Sequence, residues 1–176
     1  MTAVADAGPL IALAKVDALD VMKALFGEPV VTAPSVRREV VEAGLAAQAP
    51  DARVLEGSYE RGELLVRAAD PRTLPVSFGL GPGEEESIRL AIDLDAAWLL
   101  IDELDARRAA QLCFATAGVR TATRGTLGVL VAAFREGRAP LTRVLEILAA
   151  IRGRPDIWIA PELCDRVIAL LSDSKQ

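Results

Sequence analysis

The sequence predicts an α/β fold built on a mainly parallel sheet. Short, unbroken apolar runs alternate with segments of helical periodicity, the pattern of strands joined by helical crossovers. Two of those runs are closed by an aspartate, Asp6 and Asp102. Right-handed crossovers would bring both to one sheet edge, where open α/β sheets bind ligands. Hydrophobic residues fill 52% of the 176 positions but aromatics only 4%, so the core is expected from Ala, Leu, Val and Ile. That apolar content excludes a disordered chain. The length predicts one domain, residues 1–176, with the helices from about residue 140 as an appendage.

Taken in order, Ala3–Ala5 reads as the first strand. After Asp6 and Gly8-Pro9, a helical pattern is expected to run through Phe26. Pro29–Thr32 reads as the second strand. It leads into a helix that starts near Pro34 or Ser35, carries Val36, Val40 and Val41 on one side and ends near Gly44. Residues 45–62 read as a polar helix and turn, and Leu64–Val66 as a short strand. A Pro/Gly-rich loop, Asp70–Gly83, then delivers the chain to a helix opening at Pro82 or Glu84. Ala96–Ile101 is a continuous apolar run of the kind buried in parallel sheets. A helix over Leu104–Ala115, a strand over Val119–Ala122 and helices over Leu127–Glu136, Leu141–Arg152 and Glu162–Leu171 complete the chain.

Composition removes several chemistries. The chain has no histidine, which excludes Ser-His-Asp and Cys-His catalysis, His-ligated zinc and a histidine base. Cys113 and Cys164 are too few for a four-thiolate zinc site or a disulfide framework, and read as reduced thiols filling a cytoplasmic protein's core. No basic segment precedes an apolar stretch at the N-terminus, and no apolar run approaches the ~18 residues of a membrane span. The formal net charge of −5 argues against a generic nucleic-acid coat protein. An enzyme that meets nucleic acid through bound cations remains open. Lys15, Lys23 and Lys175 are the only lysines, so 17 of the 20 basic residues are arginines. Arginine forks suit phosphates, and a GC-rich genome gives the same bias.

The remaining chemistry lies with carboxylates. Glu39 falls in the helix after the second strand. Glu84 opens a helix whose inward stripe is Ile88, Ala91 and Ile92. Spacings of four and seven put Glu84 on that stripe and Glu86 elsewhere, with Glu85 ambiguous. Acids gathered in a partly buried place raise one another's pKa. A hard divalent cation such as Mg²⁺ or Mn²⁺ relieves this, and such a site activates water and steadies a phosphoryl displacement. Each acid alone has an ordinary reading as well. Glu84, Glu85 and Glu86 suit a helix's first turn, Asp6 and Asp102 suit helix caps, and Glu39 beside Arg37, Arg38 and Glu42 suits a solvated face.

The strings VADAGPLIALAKVDAL, APSVRREV, GPGEEESIRLA, LLIDELDARRAA and GTLGVLVAAFREG, in this order over about residues 3–137, resemble the PIN-domain superfamily. The likeness is strongest to the PIN-like branch near VapC-type toxin ribonucleases. That resemblance implies a three-layer α/β/α sandwich and Mg²⁺- or Mn²⁺-dependent cleavage of RNA. It also implies a homodimer neutralised by a small antitoxin. Asp6, Glu39, Glu84 and Asp102 match the family's acids, and Glu103 stands where many members carry a second Asp, with a longer side chain. Asp6, Glu84, Asp102 and Glu103 are thereby implied as metal ligands. Ala7-Gly8 replaces a hydroxyl residue frequent in relatives. Thr126 matches a Gly-Thr pair that opens a helix, either contacting phosphate or capping. Arg107 or Arg108 is placed to meet the RNA backbone or to pair with a nearby acid.

Other classes fit less well. A receiver domain needs a lysine after a late strand, and none stands there. A haloacid-dehalogenase phosphatase needs an acid two residues after the first, where Gly8 lies. GLGPG is not a dinucleotide fingerprint. The alternative within the same fold is a catalytically inert PIN-fold protein that binds nucleic acid or protein.

Overall fold

The computed structural model describes residues 2–73 and 79–173. Among these, five strands form one all-parallel sheet in the order β3-β2-β1-β4-β5. They are β1 (Ala3–Ala5), β2 (Val30–Thr32), β3 (Leu64–Val66), β4 (Trp98–Leu100) and β5 (Ala122–Arg124). β1 and β4 sit side by side at the centre, with Val4 opposite Leu99 and Ala5 opposite Leu100. Ala3, Val4, Ala5, Leu99 and Leu100 are almost wholly buried, as a central parallel strand covered on both faces requires.

Helices cover the sheet to complete an α/β/α sandwich. α1 (Ala7–Lys15), α2 (Leu19–Phe26), α5 (Pro50–Glu60) and α8 (Thr126–Arg135) pack in one group. α6 (Pro82–Asp93) packs with α3 (Pro34–Arg37) and α7 (Leu104–Ala117) and against β1 and β4. α9 (Leu141–Arg152) and α10 (Pro161–Asp173) pack on each other and on α8. Val144, Ile147, Leu148 and Ile151 of α9 are fully buried and join the main core.

Three elements differ from the sequence reading. The helix expected through Phe26 is two helices, because Asp17 adopts a left-handed φ of 52° and Ala18 N–H folds back to Leu13 O at 2.9 Å. The fifth strand begins at Ala122, not Val119. Gly118 ends α7 with a φ of 72°, and Val119 N–H reaches back to Phe114 O at 3.1 Å. Val119 is thus consumed in the helix's terminal motif, its side chain packing back on the core. The helix expected from Pro34 to Gly44 continues from α3 as a π-helical segment, Arg38–Ala43, before the short α4 (Gly44–Ala46). Of the predicted loop Asp70–Gly83, residues 74–78 lie outside the described residues. Cys113 and Cys164 are buried free thiols. Among the described residues, no helix is long and apolar enough to cross a membrane.

Candidate active site

The C-terminal ends of the two central strands bring Asp6 and Asp102 to one edge. Asp6 N–H donates to Leu100 O at 2.9 Å, which seats the first residue after β1 beside the end of β4. Asp6, Glu39, Glu84, Asp102 and Glu103 all line one cleft of about 520 Å³. Each comes from a different place in the fold: the ends of β1 and β4, the π-helical segment, the first turn of α6, and the residue preceding α7. A π-helical turn rotates the side chains that follow it relative to a regular helix and is frequent at functional sites. Glu39 lies within this one.

Two glycines let the acids approach. A β-carbon at Gly83 would stand 3.2 Å from Asp6 Oδ1 and 3.4 Å from Glu39 Oε2, so the bare backbone of α6 lies against both carboxylates. A β-carbon at Gly125 would stand 2.7 Å from Asp102 Oδ1 and 2.8 Å from Arg107 Nη2, closer than any side chain tolerates. Gly125 thereby lets Thr126 close on Asp102. Thr126 donates its backbone N–H to Asp102 Oδ1 at 2.7 Å and its hydroxyl to Oδ2 at 2.6 Å. Thr126 is fully buried, and both its donors are spent on this carboxylate.

Asp6 has a different environment. It is 8% exposed, and its Oδ1 is buried with no hydrogen-bond partner among the described residues. Burial above all, with the charges of Glu39 and Glu84, pushes its carboxyl from an ordinary 3.8 up to about 7, against the opposing pull of the Ala7 and Gly8 backbone. Burial and the Glu84 charge also raise Glu39. Burial raises Asp102, while the Thr126 bonds and the Arg107 charge work against it. Burial is the leading cause at all three, and mutual repulsion adds to it only at Asp6 and Glu39, a pattern frequent at functional sites.

The other sequence candidates divide clearly. Glu84 lines the cleft, and its Oε2 also accepts from Gly81 N–H at 2.8 Å, so the capping reading holds alongside. Glu85 pairs with Arg89 at 3.4 Å. Glu86 accepts from Ser35 N–H at 3.1 Å and Ser35 Oγ at 2.6 Å, tying α6 to α3. Arg107 Nη2 donates to the carbonyls of Ile101 and Asp102, each at 3.2 Å, and Arg108 pairs with Asp105 at 3.3 Å. Among the described residues, no three acidic or cysteine side chains stand ready-made in metal-ligating geometry.

A family model described as a PIN domain (DUF3368) matches residues 2–173. The chain belongs to the PIN-domain family. No curated protein and no solved structure matches it. Sequence reasoning missed one wall of this PIN domain's cleft. Asp156, Ile157, Trp158 and Ile159, between α9 and α10, close over Lys15 of α1. Lys15 Nζ donates to Asp156 O at 2.7 Å and pairs with its carboxylate at 3.1 Å. The one available signal was an aromatic residue set between two helices in an aromatic-poor chain.

Proposed function

We propose that this PIN domain is a divalent-metal-dependent endoribonuclease that hydrolyses RNA phosphodiester bonds through Asp6, Glu39, Glu84 and Asp102. The observation that carries the reading is Asp6 Oδ1, buried and unpartnered, set beside Glu39 at the C-terminal edge of the sheet. A buried carboxylate oxygen without a donor is costly. An all-oxygen donor set without histidine or available thiolate suits Mg²⁺ or Mn²⁺. The residues present therefore fit a hard cation, with Asp6, Glu84, Asp102 and Glu103 as its ligands. Such an ion, when bound, supplies an activated water and charge stabilisation for the displaced phosphoryl oxygen.

The chain's own groups prepare that chemistry. Thr126 holds Asp102 in one orientation with two short donors, so the carboxylate's remaining lone pairs face the cleft in a defined direction. Arg107 gathers the Ile101 and Asp102 carbonyls and fixes the turn that presents Asp102. Glu39, with its carboxyl raised, is the group suited to accept a proton from an attacking water.

The finer reading is a toxin ribonuclease of the VapC type, homodimeric, paired with a small antitoxin and working in the cytoplasm. It rests on the order of the family motifs, and on two free buried thiols for the compartment. The alternative is an inert PIN-fold binding module, the reading that fits the lack of a preformed metal-holding trio among the described residues. Incubating the protein with single-stranded RNA in Mn²⁺ and in EDTA separates them. Cleavage is expected in Mn²⁺ alone, slowed by orders of magnitude in Asp102→Asn. Equal cleavage in EDTA overturns the metal-dependent assignment, and no cleavage under any divalent ion overturns the nuclease reading.

A further inference from the structure

The PIN domain carries a fully exposed tryptophan at the mouth of its acidic cleft. Trp158 is 100% exposed, whereas Ile157 just before it is 7% exposed and packs into the core. An indole left wholly in water forgoes the large burial gain that normally draws tryptophan inward. The segment leading into it is anchored to α1. Arg154 Nη1 donates to Lys15 O at 3.1 Å and its Nη2 pairs with Asp156 at 2.9 Å, beside the Lys15–Asp156 bonds.

Trp158 and Asp102 also line a second, adjoining cleft of about 740 Å³. Its cationic residues are Arg107, Arg124 and Arg135, and its only acid is Asp102. None of the three arginines forms an ion pair among the described residues. Arg107 is held by carbonyls, and Arg124 lies over the Trp98 ring at 4.0 Å and donates to Gly128 O at 3.4 Å. Carbonyls hold Arg107, and a ring and a carbonyl hold Arg124, in place of ion pairs. In a chain of net charge −5, a cleft with three arginines and one acid meeting an acidic cleft at one exposed indole is a specific arrangement.

We infer that Trp158 is a stacking platform for a base of a single-stranded RNA, with the adjoining phosphates in the arginine cleft. This rests on the ribonuclease reading and deepens it by naming how the substrate is held. The indole face accepts any base, and arginines track the backbone, so binding through this surface is sequence-tolerant. The flanking strand lies on the arginine side of Asp102 and the scissile phosphate on the acidic side. A protein partner would use the same aromatic but would not require three unpaired arginines beside it.

The test is a binding measurement in EDTA, where no cleavage is expected. In a Trp98→Phe protein, Trp158 is the only tryptophan, and its emission should be quenched as single-stranded oligouridylate is added. Trp158→Ala should weaken binding of fluorescein-labelled oligouridylate by about tenfold or more, since stacking is worth roughly 1–3 kcal/mol per base. Trp158→Phe should keep most of that affinity. Arg135→Gln should lower the slope of log affinity against log salt by about 0.7, the loss of one phosphate contact, while Trp158→Ala leaves the slope unchanged. Unchanged affinity in Trp158→Ala overturns the proposal. So does a blue shift of Trp158 emission with protein concentration alone, which would mark the indole as covered by a second copy. Binding without cleavage in Mn²⁺ would leave the stacking role standing and remove the nuclease; cleavage with unaltered Trp158→Ala binding would do the reverse.

Discussion

Replacing Asp6 by asparagine should stabilise the metal-free protein, and the gain should depend on pH in a way only a buried, unpaired acid produces. Asn keeps the shape of Asp6 but carries no charge. The Asp6 carboxyl ionises near 3.8 in an ordinary setting and near about 7 in the fold, chiefly because it is buried. Its folded pKa is raised, so its contribution favours folding fully below the unfolded value and is lost as pH rises through the folded one. At about 1.4 kcal/mol per pH unit, the ionised side chain costs the folded state about 4 kcal/mol above pH 7. Asp6→Asn escapes that cost. Urea unfolding in EDTA should show variant and wild type within about 1 kcal/mol near pH 4 and separated by about 4 kcal/mol near pH 8, the variant being more stable. A gap that does not change with pH, or a variant less stable at pH 8, would refute the electrostatic account of Asp6.

Gly125→Ala should cost about 1–3 kcal/mol in chemical denaturation and lower RNA cleavage, because its methyl would stand 2.7 Å from Asp102 Oδ1. The Gly125 φ of −89° suits alanine, so the effect should be steric, and a variant of wild-type stability would contradict it. Ser35→Ala should cost about 1–2 kcal/mol by removing the 2.6 Å bond to Glu86; an unchanged urea midpoint would count against that tie between α3 and α6. Light scattering should give a mass about twice the 18.7 kDa of one chain, and a monomer over a wide concentration range would remove the dimer.

Much of the sheet could be read ahead of the structure because its central strands are short, apolar and closed by an acid. Ala3–Ala5 and Leu64–Val66 fall where the apolar runs put them. Asp17 broke a helix without a glycine or proline to announce it, since its left-handed turn depends on how α1 and α2 pack. β5 shifted because Ala122–Arg124 is only half-buried and lacks a strong apolar run, whereas Val119 belongs to a helix cap. Asp6, Asp102 and Glu84 line one cleft as strand-end and helix-stripe logic suggested, and Glu39 and Glu103, matched to the family's acids by resemblance, line it too. What stayed hidden was contributed by contacts distant in sequence. Thr126 engages Asp102 across 24 residues, Ser35 engages Glu86 across 51, and Trp158 returns to the cleft through α9 packing on α8. Periodicity reports which face a residue takes, not which distant segment it will meet.

The central claim is that Asp6, Glu84 and Asp102 form one site for a hard cation. Melting curves with and without Mn²⁺, for the wild type and for the double variant Asp6→Asn/Asp102→Asn, test it most directly. An ion that binds only the folded wild type stabilises it by about 2.7 kcal/mol at a hundred times its dissociation constant, on the order of 5–10 °C in Tm. The double variant should be at least as stable as the wild type without metal and should lose most of the Mn²⁺ shift. A shift that survives both substitutions would place the ion elsewhere and contradict the account.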